Sequence, residues 1–338
     1  MPLAATSGQA GDTAPIVLPF LAGSLGPRKV MVYVHGAGRF DPGYEQPMVT
    51  QIQNRLAGQP VQVIAVRYAD VVDPSSPGMA LYSASNADAL EKFQEDFQKE
   101  IARDAFLRAF SAISTEQLLS VLGTAALPGG TNLLTLVPAL LRSTQGTWSQ
   151  PNILGQLQRV FPGVPIADWL GKLTSGSAMG GLPLDMVAKQ VWYYLFNDQV
   201  RAVVQGRLKS SLETAMQEFD DIVLVSHSLG SLVAFDVLHD CADAVNRVSY
   251  WVTMGCPLAK VQRLGNRGDL GHIGYQTIRR WYNIYDTTDI VSNALGPLFP
   301  SMNYILYDIF VDVAKDPLPA HDYMTNPETL DILAAIMK

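Results

Sequence analysis

Two parts of the chain repeat one pattern: a short apolar run, a turn of small residues, then a stretch with helical spacing. Val30–Val34 (VMVYV) ends in His35-Gly36-Ala37-Gly38 and is followed by a helical stretch around Tyr44–Leu56. Val61–Tyr68 (VQVIAVRY) reads as a second strand. Ile222–Val225 (IVLV) is a third, ending in Ser226-His227-Ser228-Leu229-Gly230 and passing into a helix through Leu238. Tyr250–Met254 (YWVTM) and Arg280–Tyr285 (RWYNIY) are further β-branched and aromatic runs, and Pro327–Met337 carries apolar residues at helical spacing. Strands that are apolar throughout, separated by helices, predict an α/β fold whose mostly parallel sheet is covered by helices on both faces.

Between Ala69 and Asn197 no comparable strand is found, so the pattern predicts a core of 29–68 and 198–338, interrupted by a helical insertion, 69–197, and preceded by a loose arm, 1–28. Within the insertion, Gln117–Leu141 carries no charged side chain. A spanning helix needs about 20 such residues. Here Pro128-Gly129-Gly130-Thr131-Asn132 and Pro138 break the stretch, which favours two short apolar helices joined by a turn.

Composition narrows the function. Of 338 residues, 48% are hydrophobic and 16% charged, which argues against disorder, and the formal charge of −7 argues against a nucleic-acid binder. Two cysteines, Cys241 and Cys256, make no disulfide framework or zinc motif. The first positive side chain is Arg28, so no secretory signal is visible, and the expectation is a cytoplasmic protein.

The sharpest chemical signal is Ser226-His227-Ser228-Leu229-Gly230 between an apolar strand and an apolar helix. A serine on such a tight turn is lifted clear of the sheet, and the N–H of the following residue, Leu229, points where an acyl oxyanion forms. The usual spelling is G-x-S-x-G, and Ser226 takes the place of the first glycine. A second donor belongs on the turn after an earlier strand. Glycines in His35-Gly36-Ala37-Gly38 let an N–H, best that of Ala37, face the site. That turn lacks the full G-x-G-x-x-G spacing and no Walker lysine follows it, which argues against nucleotide phosphates.

A nucleophilic serine needs a base, and the base an orienting acid. The five histidines are His35, His227, His239, His272 and His321. His35 lies in the proposed oxyanion turn, His227 is expected to project away from Ser228, and His239 is at the far end of the helix. His321, after the last apolar block, is the best base, with His272 in reserve. For the acid, Asp289 on the turn beyond RWYNIY is favoured over Asp286 at the strand end, which would cap the turn. Asp312 and Asp316 are weaker candidates.

The order Ser228, Asp289, His321, together with the oxyanion turns, resembles the α/β-hydrolases of lipase and esterase type. The elbow Val225–Leu238 is similar to a V-x-H-S-L-G-S-x-V-A-x-D-x-L pattern of bacterial hydrolases. Met254-Gly255-Cys256-Pro257, Asp289-Ile290-Val291, His321-Asp322-Tyr323-Met324 and Trp192-Tyr193-Tyr194-Leu195 also match. The departures are Ser226 for Gly and Cys256 for Ser; Cys256 reads as a small buried residue near the sheet edge. The resemblance covers 29–68 and 190–338 and implies an α/β-hydrolase fold with a large helical cap.

It also implies a serine hydrolase of carboxylic esters, lipid or acyl esters among them, that needs no metal or organic cofactor. The expected partner is a small-molecule or lipid ester, not nucleic acid. Apolar cap residues Leu118, Leu119, Leu133, Leu134, Leu136, Val137, Leu140 and Leu141 would line an acyl-chain pocket or touch a membrane surface, although such residues more often form the core of a cap. Competing readings are an inactive hydrolase fold used for binding, a membrane-associated factor held through Gln117–Leu141, and amide or thioester cleavage by the same groups.

Overall fold

In the computed structural model the described residues are 28–97, 100, 178–179, 182–240, 247–264, 278–314 and 319–338. Residues 1–27 of the arm, Gln117–Leu141, the cap residues named above, Cys241, His272 and Asp316 lie outside them. Six strands form one parallel sheet: β1 (Lys29–Val34), β2 (Gln62–Val66), β3 (Asp221–His227), β4 (Val248–Met254), β5 (Arg280–Tyr285) and β6 (Leu306–Phe310), in the order β2-β1-β3-β4-β5-β6. The five expected strands are present within a few residues. The sixth, LYDIF, has an alternation too weak to stand out: Leu306 is buried, whereas Tyr307 and Phe310 face solvent at the sheet edge.

Alternation of side chains divides the interior into two cores. Val30, Val32, Val34, Ile222, Leu224, Trp251 and Trp281 point to one face. Met31, Tyr33, Val223, Val225, Val252, Met254 and Ile284 point to the other. Helices α1 (Gln46–Arg55) and α7 (Pro327–Met337) pack on each other over the second face. The first is covered by α3 (Leu184–Phe196), α4 (Asp198–Glu218), α5 (Leu229–Asp240) and α6 (Leu258–Arg263); α2 (Pro77–Ser85) lies beyond.

Local chemistry sets the helix bounds. Asn197 caps α4 through its Oδ1, which accepts the Gln199 and Val200 N–H groups. Val200, Val204, Leu208, Leu212 and Ala215 then form one buried stripe three to four residues apart. Pro327 opens α7 behind the cap Asn326. Although α3 falls within 69–197, its Val187, Val191, Trp192 and Tyr194 belong to the same core as the sheet. The other described strands of that interval are the two-residue pair Ala178–Met179 and Leu182–Pro183.

A polar row crosses the first face. Ser226, Thr253, Asn283 and Asp308 sit side by side in register on β3 to β6. Ser226 Oγ accepts the Trp251 indole N–H at 3.0 Å, and Thr253 Oγ1 accepts that of Trp281 at 3.1 Å. Thr253 donates to Asn283 Oδ1, and Asn283 donates to Asp308. Asp308 also accepts the Leu295 and Gly296 N–H groups, fixing the loop beyond β5. Serine rather than glycine at 226 thus has a structural partner: it satisfies a buried indole that stacks on Trp281 at 4.2 Å between centroids. Trp281→Ala, which empties this stack, should cost about 3–5 kcal/mol in a urea titration; a loss under about 1 kcal/mol would mean the row carries little of the fold.

Candidate active site

Ala37, Ser228, Leu229, Asp289 and His321 each lie beyond the C-terminal end of a sheet strand. From β1 the chain steps to β2 on one side and later to β3 on the other. The order reverses between β1 and β3, the place where open parallel sheets leave a crevice. His35–Gly38 follows β1 and Ser228 follows β3, one on each side of it.

Ser228 has φ +52°, a left-handed conformation that a side chain rarely adopts. It is held there by its own backbone: the N–H donates to Met254 O at 2.9 Å, and the carbonyl accepts the Ser231 N–H. Neighbours must be small. A Cβ on Gly36 would lie 2.7 Å from Ser228 Cβ, and one on Gly230 would lie 2.3 Å from His35 O. Leu229 is the first residue of α5, so its N–H has no acceptor inside the helix. On the facing turn the Gly38 N–H is engaged by Gln190 Oε1 of α3 at 2.7 Å, while Gln190 Nε2 donates to Gly38 O. Ala37 is therefore the donor beside it that Gln190 does not take. Gln190 is buried, and no motif in the sequence marks it.

His35 braces the same turn. Its ring lies between Phe40 and Tyr68, 4.2 Å from each centroid. Nε2 accepts the Tyr68 N–H, which leaves Nδ1 to carry the proton toward Gly36 O at 2.7 Å. Burial holds the ring neutral, with its pKa pulled down to about 4.

The acid and base meet beyond β5 and β6. His321, in the short 3-10 turn Pro319–His321, donates from Nδ1 to Asp289 Oδ2 at 2.9 Å, with both side chains buried. The same oxygen accepts the Tyr323 hydroxyl at 2.8 Å, and Oδ1 accepts the Val291 N–H. Burial alone would raise the Asp289 pKa, but the His321 ring and these three donors outweigh it and hold the carboxyl well below the usual range. Asp286 has the other role: its carboxylate accepts the Thr288, Val313 and Ala314 N–H groups, tying the β5 turn to the chain after β6. Tyr323 is a hub that the sequence showed only as part of the H-D-Y-M match; its oxygen also accepts the Asp286 N–H and meets Ser292 Oγ.

With Nδ1–H committed to Asp289, His321 Nε2 carries the lone pair; it is buried and has no hydrogen-bond partner. Ser228 and His321 are bridged by the end of β4. Ser228 bonds to Met254, and a Cβ on the next residue, Gly255, would meet His321 Cε1 at 2.7 Å. His239 is exposed and pairs with Asp240 at the end of α5, and Asp312 is exposed. Two expectations change. Cys256 is buried at the end of β4, an interior strand rather than a sheet edge. His227 does not turn away: its ring centroid lies 4.8 Å from that of His321, and its Nε2 reaches the His321 carbonyl at 3.0 Å. His227 is the last residue of β3, and alternation along the strand sends its side chain to the face of Val223, Val225 and Tyr323, beside the histidine loop.

Gly255 has φ +61°, so Gly255→Ala should be strained and should push the imidazole off Asp289. The low-field proton resonance of the His321 Nδ1–H reports this, and its persistence unchanged would contradict the packing. His35 predicts a pH effect. Unfolded, it binds a proton near 6.5; folded, only near 4. Stability is then full above the unfolded value and falls as pH drops from 6.5 toward 4, by roughly 3 kcal/mol in the limit. Urea midpoints across that window should decline less steeply in His35→Asn; equal slopes would remove His35 as the cause. No family model matches the chain, and neither a curated protein nor a solved structure matches it.

Proposed function

We propose that the chain is a serine hydrolase of the α/β-hydrolase type that cleaves carboxylic esters through an acyl-enzyme. The observation that carries this reading is the buried His321–Asp289 hydrogen bond, which fixes the Nε2 lone pair of a ring packed on Gly255, next to the Met254 carbonyl that holds Ser228 on its strained turn. In the proposed reaction Ser228 Oγ attacks the ester carbonyl while His321 Nε2 takes its proton. Asp289 keeps the tautomer and stabilises the imidazolium.

The Leu229 and Ala37 N–H groups receive the oxyanion, each worth about 3–4 kcal/mol of barrier in comparable sites. The protonated His321 gives its proton to the leaving alcohol. Water then attacks the acyl-enzyme with His321 again as base, returning Ser228 and releasing the acid. His321 Nε2 has no partner before substrate arrives, as is common for catalytic hydrogen bonds that tighten only in the complex.

Substrate range belongs to the 69–197 interval, whose apolar residues suit an acyl chain; lipid esters and a membrane-surface contact stay within this reading as its finer part. Among the described residues no helix is long and apolar enough to cross a membrane.

A fluorophosphonate probe tests the reading. The wild type should be labelled, and Ser228→Ala and His321→Ala should not. Asp289→Asn should be slowed by about 10⁴-fold through the wrong tautomer. A folded wild type that resists the probe and short activated esters would contradict it.

A further inference from the structure

The residue before the nucleophile has no part in the reaction just described, yet it holds the base. His227 Nε2 lies 3.0 Å from the backbone carbonyl of His321, a contact across 94 positions of chain. A carbonyl only accepts, so Nε2 carries the proton. Nδ1 therefore has the lone pair, and it is buried with no partner, 3.1 Å from where a Cβ on Gly36 would stand. Burial, and next the neighbouring His321, pull the His227 pKa down to about 3, so this one-proton form persists across the working range.

Its surroundings are the His321 and Tyr323 rings, with centroids at 4.8 and 6.2 Å. The charged group facing it is Asp289, beyond His321, and His35 stands on the oxyanion side. The histidine loop is thus fixed at two points. Asp289 and Tyr323 set the ring from one side, and the His227 N–H sets the main chain from the side of the serine.

We propose that His227 is a positioning residue: its Nε2–H clamps the His321 carbonyl and so fixes the distance from His321 Nε2 to Ser228 Oγ. Because His227 adjoins Ser228 in the chain, the clamp ties the base directly to the nucleophile's own turn. A displacement of about 1 Å at such a pair can cost about 10²-fold in rate. The inference rests on the serine-hydrolase reading above, and its test separates the two.

His227→Phe keeps the ring volume and removes the donor; His227→Gln offers an amide N–H in place of Nε2–H. The fluorophosphonate labelling rate and kcat for a short activated ester should fall at least about tenfold in His227→Phe, with KM within about twofold of wild type, and His227→Gln should recover most of the loss. Wild type that is not labelled at all would overturn the hydrolase reading, and this inference with it. Labelled wild type with an equally fast His227→Phe overturns the clamp alone, as does a His227→Gln no faster than His227→Phe. If His227→Phe does not fold, ¹⁵N-resolved imidazole spectra of the wild type decide the matter. An Nε2–H tautomer at 227, unchanged from about pH 5 to 8, is expected, and an Nδ1–H tautomer would overturn the clamp.

Discussion

One buried carboxylate organises this molecule. Asp289 is fully removed from water, and a charge so placed is tolerated only if its oxygens are saturated by donors. Three donors come from two places in the chain: the Val291 N–H from its own turn, and the Tyr323 hydroxyl and His321 ring from the segment before α7. Satisfying Asp289 therefore pulls the C-terminal segment across the ends of β4 and β5. It also fixes which nitrogen of His321 holds the proton. The chemistry proposed for Ser228 follows from that electrostatic requirement.

The sheet supplies the frame in which the requirement can be met. Parallel strands deliver their following loops to one edge, where the strand order reverses between β1 and β3. Along that edge the chain brings together parts that tolerate no extra bulk. Gly36 abuts Ser228, Gly230 abuts the carbonyls ending β1, and Gly255 abuts His321. Behind these contacts, the row Ser226–Thr253–Asn283–Asp308 holds the loop that carries Asp289 at a fixed height above the sheet.

Much of this was legible in the residues. Strands buried on both faces show as unbroken apolar runs, so β1 to β5 could be read directly, and the paired turns after β1 and β3 stood out by their small residues. The preference for Asp289 over Asp286 came from one physical idea, that a turn can swing a carboxylate where a strand end cannot, and the two hydrogen-bond sets follow that division. What escaped had weaker signatures. Strand β6 is an edge strand with exposed aromatics and no clean alternation. Gln190 acts through a contact across 152 positions, invisible to any local pattern. The direction of His227 depends on strand alternation rather than on the turn after it: as the last residue of β3 it shares the face of Val223, Val225 and Tyr323 and so meets His321.

The central claim is that Ser228 is acylated during turnover. Quenching the chain in acid while it hydrolyses a short activated ester, then weighing its peptides, tests this without any inhibitor. The account predicts one acyl increment, on the peptide that contains Ser228, and none in Ser228→Ala. An increment on another residue, or undiminished turnover in Ser228→Ala, would contradict it.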